Sequence, residues 1–379
     1  MRILQLTSDW KWTGPAEPML VLACALREAG HEVALGCPDA PDGEPSGLAV
    51  EAGRRGMRPV LRLDRGRGVR PWRDRRDLER VRGAIGCFDV VHVWHTRDHV
   101  LALRAVRSAP RAACPIVVRS LSDAAPLARW PWNRWLFGRG ADGVACVSEA
   151  TAAANASVRG GRPIAGILGA VEGEKVAAAA GRFTRAAARE RVGLPAEAPV
   201  IAVVARVQRH RRFDLLFEAF SRLTDEHRHA RLLLLGRGTH FDEVAAQPVA
   251  ERDLADRVVM AGHRRDDYLS VLASADLLTY LVPGSDGSCR AVLEAAACGV
   301  PCVATRRGAL PEIIADGETG VLIDEDPEAL AEAWRQLIDA PAERTRLAEN
   351  ARTRARSLFL PARLASEVEA LYEAAAASS

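Results

Sequence analysis

Two α/β domains, each built on a doubly wound parallel sheet, are what the 379-residue sequence predicts. Three observations lead there. Short apolar runs alternate with helix-patterned segments along almost the whole chain. The alternation lapses between residues 171 and 197, where alanines, glycines and charges replace any strand pattern, and then restarts. The length also exceeds what one hydrophobic core usually holds. The expected division is residues 1–180 and 181–356.

The first half opens with a strand over residues 2–7 (RILQLT), a loop, a helix over Pro18–Ala29 stopped by Gly30, and a second strand over His31–Leu35. Arginine-rich sequence with glycine and proline follows to about residue 73, holding one short strand at Val60–Leu63. A helix over Asp74–Ile85 leads into the strand Asp89–Trp94, and His95 stands at its carboxyl end, where ligands gather in open parallel sheets. A helix over 98–107, a strand at Ile116–Arg119, a tryptophan-rich segment, a strand at Gly143–Val147, a helix over Ser148–Ala156 and a strand at Ile164–Leu168 complete this half.

The second half repeats the scheme. Strands are expected at Val200–Ala205, Ala230–Leu235, Val258–Ala261, Leu277–Leu281, Val300–Ala304 and Val321–Ile323. Helices are expected at Phe213–Leu223, Asp242–Glu251, Tyr268–Ser274, from Leu310, and at Pro327–Ile338, with long helices to the end. Between the fourth and fifth of these strands runs GSDGSCRAVLEAAACGVP, from Gly284 to Pro301. It reads as a polar, glycine-bearing loop turning into a short helix, with Ser285, Asp286 and Ser288 able to cap and Gly299 and Pro301 ending it. The helix is apolar enough to be buried, yet Glu294 sits inside it, and a buried carboxylate needs partners. Either a polyhydroxylated, anionic ligand supplies them at the helix N-terminus, or Arg290 one turn earlier does.

Composition is that of an ordinary globular chain, with 48% hydrophobic and 27% charged residues. No apolar run approaches the ~20 residues of a membrane span, and the opening MRILQLTSDW reads as a strand and not as a leader, so the chain is expected in the cytoplasm. Eight scattered cysteines without a close C-x-x-C pair suggest buried, reduced thiols and no zinc site. The net charge is +3, but twelve arginines face four acids between Arg54 and Arg82. That block suits phosphate or an anionic membrane surface, or is a solvated loop in a chain whose only lysines are Lys11 and Lys175. Seven of the eight tryptophans lie in the first half, three of them in RWPWNRWLF (Trp130, Trp132, Trp135), where they either pack an irregular segment or meet an acceptor sugar or lipid headgroups. Nothing points to nucleic acid.

Taken together, the motifs resemble the retaining GT4-type glycosyltransferases of glycosyl transferases group 1, most densely over residues 200–325. The strand running into Ala205-Arg206, with Arg211 five residues on, resembles the family's Gly-Arg and Lys. LLLLGRG at 232–238 resembles its Gly-x-Gly turn, and VVMAGHRRDDYLSVLASADLL at 258–278, which contains His263, its strand, helix and Ala-Asp run. The family's acidic pair, spaced E-x7-E, stands here as Asp286 and Glu294, followed by AAACGVPCVAT and GALPEII. The departures are Asp286 for Glu, Ala205 for Gly and Arg211 for Lys; the glycines at 284 and 287 let the loop bring a shorter acid closer, and an arginine fork still suits phosphate.

The resemblance implies the GT-B fold, two Rossmann-like domains facing across a cleft, with a C-terminal helix over 357–379 packing back on the first. It implies a nucleotide-sugar donor, a hydroxyl acceptor such as a cell-envelope glycolipid or polysaccharide, and no cofactor or metal. Arg206 and Arg211 would bind the diphosphate, Glu294 the ribose and Asp286 the transferred sugar, with Gly236, His263, Gly287 and Ser288 around them. In the first domain Gly14 would lie by the diphosphate and acceptor, and His95 would be the active-site histidine, although counting alone does not separate it from His92. Competing readings are a sugar-nucleotide epimerase on the same fold or a noncatalytic binding relative. Asp324-Glu325-Asp326 has the D-x-D spelling of manganese sites in another fold, but with Pro327 behind it, it reads as a helix cap. Gly236-Arg237-Gly238 lacks the third glycine of a dinucleotide fingerprint.

Overall fold

The computed structural model describes residues 1–12, 16–66, 68–69, 72, 74–108, 114–223, 225–283 and 287–378. The chain forms two units. The first takes in Met1–Ala170, Gly287, Ser288 and the terminal stretch from Pro361, and the second Val171–Gly284 and Cys289–Leu360.

In the first unit the order is β1 (Arg2–Leu6), α1 (Ala16–Glu28), β2 (Glu32–Pro38), α2 (Gly47–Arg54), β3 (Pro59–Leu63), α3 (Asp74–Ile85), β4 (Val90–Val93), α4 (Thr96–Val106), β5 (Ile116–Leu121), α5 (Pro131–Gly138), β6 (Gly143–Cys146), α6 (Glu149–Arg159) and β7 (Ile164–Gly166). All strands are parallel, in the order β3-β2-β1-β4-β5-β6-β7. The central strands β1, β4 and β5 are covered on both faces and so are buried along nearly their whole length, while the edge strand β3 alternates between buried and exposed positions. Ile3, Val90 and Val118 face α1, while Leu4, Val91 and Val117 pack with Leu78 of α3 and Leu101 of α4. Helix α2 lies inside the stretch the sequence suggested was loop; Ser46 caps it by accepting from Ala49 N–H at 3.2 Å, and its single buried turn is too short to show a periodic pattern.

The second unit contains α7 (Gly173–Ala180), α8 (Arg185–Glu190), β8 (Val200–Val204), α9 (Phe213–Ser221), β9 (Arg231–Leu235), α10 (Gln247–Glu251), β10 (Val258–Gly262), α11 (Tyr268–Ala273), β11 (Leu277–Tyr280), α12 (Arg290–Cys298), β12 (Cys302–Thr305), α13 (Leu310–Ile313), β13 (Gly320–Ile323), α14 (Pro327–Asp339) and α15 (Pro341–Leu358). Its parallel sheet runs β10-β9-β8-β11-β12-β13. The core joins Phe217 and Phe220 to Trp334, whose indole N–H donates to Thr279 Oγ1 at 2.9 Å. The stretch expected only to connect folds as α7 and α8. Arg189, 1% exposed, donates to the carbonyls of Ser274, Ala196 and Ala198 and pairs with Asp276 at 2.9 Å, so a charge the pattern would place outside becomes the anchor. Asp326 caps α14, its carboxylate accepting from Ala329 N–H at 2.8 Å with Pro327 in the first turn, as the cap reading expects.

The last helix, α16 (Pro361–Ala377), buries Leu364, Val368, Leu371 and Tyr372 in the first unit's core. Arg363 donates to Leu168 O at 2.6 Å, and Glu369 meets His31 at 2.8 Å. None of the eight cysteines is in a disulfide; five are buried, while Cys87 is exposed and Cys24 and Cys114 are half-buried, so the expectation of buried thiols holds for part of the set. Part of the arginine block is spent on ion pairs, including Arg62 with Asp39, Arg75 with Glu79 and Arg80 with Asp77. Among the described residues no helix is long and apolar enough to cross a membrane.

Candidate active site

In the second unit the strand order reverses between β8 and β11, so the loops leaving those strands diverge and open a crevice at the carboxyl edge. The loop after β8 carries Arg206 and Arg211. It is fixed from one side by backbone bonds: Ala205 N–H donates to Leu235 O at 3.2 Å and Val207 N–H to Arg237 O at 3.2 Å. Gly236 N–H in turn donates to Gly262 O at 2.9 Å. This lacing explains the Gly-x-Gly spelling. A Cβ on Gly236 would stand 1.8 Å from Ala205 O, and one on Gly238 1.8 Å from Val207 O. Arg206, Gly236 and His263 are thereby brought onto one edge, with Arg206 and His263 exposed. Partial burial, then Arg237 and Arg265, push the His263 imidazole below its ordinary range and keep it neutral at physiological pH.

On the other side of the reversal Arg211 donates to Val282 O, just after β11, at 2.6 Å, while its buried Nε has no hydrogen-bond partner. Two arginines thus flank the crevice, one free in solvent and one tied across it. Arg212 has positive φ (58°) at the start of α9 and pairs with Glu325 at 2.7 Å, so it supports the loop and does not face the crevice.

Gly284 and Asp286 lie outside the described residues, as does Gly14 of the first unit. Beyond them Ser288 is buried, and Cys289, fully buried with φ 54°, turns the chain into α12. A non-glycine residue in the left-handed region is held there against its preference, which marks this corner as strained. Gly299, φ 72°, ends α12 as expected, and any side chain there would run into Arg352. Glu294 is 5% exposed. Of the two partners weighed from sequence, the structure provides Arg290, whose Nε lies 3.0 Å from Oε1, and it adds one the sequence did not signal: Tyr268, whose hydroxyl donates to Oε2 at 2.8 Å. Burial beside this carboxylate pushes the Tyr268 phenol well above its usual range, so it remains a donor. Tyr268 lies 26 residues from Glu294 on another helix, and only packing brings the two together. Gly287 counts with the first unit, where its N–H donates to Ser122 O at 2.6 Å and a Cβ would come within 2.7 Å of that oxygen.

In the first unit the strand order reverses between β1 and β4. His92 does not reach that edge. It is fully buried on β4, within 2.7 Å of Tyr372 Oη through Nδ1 and of Ser120 Oγ through Nε2, and stacks on Trp94 at 5.3 Å. Burial pushes its imidazole down to about 3, which makes it a neutral core residue. His95, half-buried, caps the start of α4 at the reversal, with its backbone N–H donating to Asp98 at 3.0 Å. Asp98, buried and also hydrogen-bonded by Ser8, is pushed up to about 6 by burial. Arg97 is tied to Asp74 and Asp77. Arg119, in the second half of β5, is 7% exposed, and its Nε and Nη1 are buried without a hydrogen-bond partner. Apart from His95 this polar cluster was not visible from spacing, because its members come from the segment after β1, the second half of β5 and the starts of α3 and α4. Among the described residues no group of three or more His, Cys, Asp or Glu is placed to hold a metal ion.

Two parallel sheets, each with polar residues collected where its strand order reverses, make this a doubly wound, Rossmann-like α/β protein, and two arginines flank the crevice of its second unit. The sequence compares accordingly. Residues 184–354 match the model of glycosyl transferases group 1, and residues 17–165 that of glycosyltransferase family 4. The chain belongs to this family of GT4-type glycosyltransferases. It is 34% identical over 194 residues to a D-inositol 3-phosphate glycosyltransferase of Corynebacterium kroppenstedtii, covering 49% of this chain and 42% of that one. It is 29% identical over 185 residues to an N-acetyl-alpha-D-glucosaminyl L-malate synthase of Bacillus anthracis, covering 48% of each. The chain thus spans about half the length of the curated relatives it matches. Among solved structures, HepE of Anabaena in complex with UDP superposes with a TM-score of 0.79 at 18% identity, covering 98% of this chain and 99% of that one, a likeness of fold.

Proposed function

We propose that the chain is a retaining glycosyltransferase that moves a sugar from a nucleotide-sugar donor to a hydroxyl acceptor of the cell-envelope glycolipid or polysaccharide class. The observation that supports this best is the crevice of the second unit, where Arg206 and Arg211 flank the strand-order reversal beside a loop that only glycine at 236 permits. Departure of the nucleotide develops negative charge on the diphosphate, and charge-assisted hydrogen bonds contribute roughly 1.5 to 3 kcal/mol each to holding it. Stabilising that charge is the main task in a front-face displacement, in which the acceptor oxygen attacks on the side the nucleotide leaves and the leaving phosphate oxygen takes the proton. No paired general acid and base and no metal ion is required. Glu294 would hold the ribose hydroxyls, with Tyr268 and Arg290 keeping its carboxylate aimed until they arrive. Asp286 would hold the transferred sugar, and His95 would stand near the acceptor. Such an acceptor places the protein in the cytoplasm, peripheral to the inner face of the membrane.

The reading is tested by screening UDP-, GDP- and ADP-sugars for thermal stabilisation of the protein and then analysing products by mass. A donor that stabilises the wild type should stabilise Arg206→Ala and Arg211→Ala far less, with transfer reduced about 10- to 100-fold. Asp286→Glu should transfer at least as well as wild type and Asp286→Ala should not. An isomerised donor with no acceptor consumed would establish an epimerase, and donor binding with equal, negligible transfer by wild type and variants would establish a binding protein.

A further inference from the structure

Helix α5 is held by its far end: Leu136 and Phe137 are buried, while its first turn stands out from the first unit. Trp130, at the cap, is 71% exposed, and Trp132 is 49% exposed. Packing does not explain these side chains. Pro131 at the first helical position fixes the backbone between them, so the two indoles are presented and not merely loose. Trp132 meets Trp135 at 5.2 Å between ring centroids, and the Arg107 guanidinium lies 4.9 Å over Trp135. Aromatic and cationic groups therefore form one continuous strip across the exposed sides of α4 and α5.

The charge on this face has one sign. Arg104, Arg107, Arg129, Arg134 and Arg139 are all exposed, and among the described residues none of them makes an ion pair. Residues 124–141 contain no acid. Asp123 is the one exposed acid between His99 and Ala141. This contrasts with Arg75 and Arg80 on α3 and Arg62 on β3, which pair with Glu79, Asp77 and Asp39. Arginine left unpaired around bare tryptophan is the combination that suits the headgroup layer of an anionic bilayer. The indoles lie at the boundary with the acyl chains while the guanidinium groups meet phosphates. An acidic protein partner would reward the charge but not two protruding indoles on a convex turn, and nucleic acid would ask for a groove or a stacking platform.

We propose that the α5 face, with Trp130 and Trp132 inserted and Arg104, Arg107, Arg129, Arg134 and Arg139 around them, docks the protein on an anionic lipid surface. The inference rests on this face alone and not on the donor site, although it specifies the membrane contact that the acceptor reading suggests.

The full chain is sedimented with vesicles of phosphatidylcholine alone and with vesicles containing about one third phosphatidylglycerol, at about 0.15 M salt, where the Debye length is about 8 Å. Binding is expected to the phosphatidylglycerol vesicles, with a blue shift of tryptophan emission, and to fall steeply at higher salt. Trp130→Ser with Trp132→Ser, and separately Arg129→Ser with Arg134→Ser, should each weaken binding about tenfold. Unchanged thermal denaturation and unchanged donor-induced stabilisation in these variants keep the result separate from folding and from the donor reading. No binding to phosphatidylglycerol vesicles, equal binding to both vesicle types, or binding that both double variants leave intact would overturn the proposal.

Discussion

Lowering the pH from about 7 to about 5 should weaken the first unit by about 2 to 3 kcal/mol, and the origin is two buried neutral histidines. His92 and His99 are each fully buried, and burial, followed by the nearby Arg119 charge, pushes each imidazole down to about 3 from an ordinary 6.5. Because the folded value is depressed, the stability each contributes is present above pH 6.5 and is lost as the pH falls towards 3, while the unfolded chain takes up the proton. Each histidine costs about 2 kcal/mol by about pH 5. Asp98 acts in the opposite sense. Its carboxyl is pushed up to about 6 by burial, so its unfavourable contribution at neutral pH shrinks as the pH falls through 6 towards its ordinary 3.8, returning about 1 kcal/mol by about pH 5. The histidines win because there are two of them and their displacement is larger. Urea denaturation followed by tryptophan emission measures this well, since seven of the eight tryptophans, including Trp94 stacked on His92, lie in the first unit. The double variant His92→Gln with His99→Gln should unfold more easily at neutral pH and should reverse the slope, gaining about 1 kcal/mol between about pH 7 and 5 from Asp98. A wild-type free energy that is flat between about pH 7 and 5, or a loss of stability on acidification that survives in the double variant, would refute the assignment of both imidazoles as neutral core groups.

Glu294→Ala removes the acceptor of Tyr268 and the partner of Arg290 together, and should destabilise the second unit by about 2 to 4 kcal/mol in thermal denaturation; Glu294→Gln keeps an acceptor for the phenol and should cost about 1 kcal/mol. Equal stability of Glu294→Ala and wild type would mean that the carboxylate is not held as described. Gly236→Ala puts a methyl into the Ala205 carbonyl, so it should cost at least about 2 kcal/mol and weaken donor-induced stabilisation by moving Arg206; a neutral effect on both would show that the two loops are not laced together. Arg119→Met removes a buried guanidinium whose Nε and Nη1 have no hydrogen-bond partner, and should leave stability unchanged or raise it by about 1 to 2 kcal/mol, while a loss above about 2 kcal/mol would show that the charge is compensated in solution.

The sequence by itself determined the class of architecture. Parallel strands buried on both faces must be apolar over their whole length and must alternate with helices, and that pattern survives in a linear string. It also carried the features whose cause is local: Gly299 stopping α12, Asp326 and Pro327 starting α14, and the glycines that let one loop pass against the next. Helix α2 and helices α7 and α8 escaped because they are short and their buried sides are one or two residues wide. Only the tertiary structure decided which polar groups became neighbours. His92 and His95 are three residues apart and look alike in the sequence, yet strand pairing and the last helix put His92 between Tyr372 and Ser120, while His95 stays at the sheet's edge. Glu294 and Tyr268 come from different helices, and Arg119 and Asp98 from a strand and a helix. The three tryptophans of α5 read equally well as packing or as surface until the fold buried Leu136 and Phe137 instead and left Trp130 and Trp132 in solvent. A one-dimensional pattern records which faces are apolar. It does not record which polar side chains the packing of those faces brings within hydrogen-bonding distance, and in this protein the candidate site is made of such meetings.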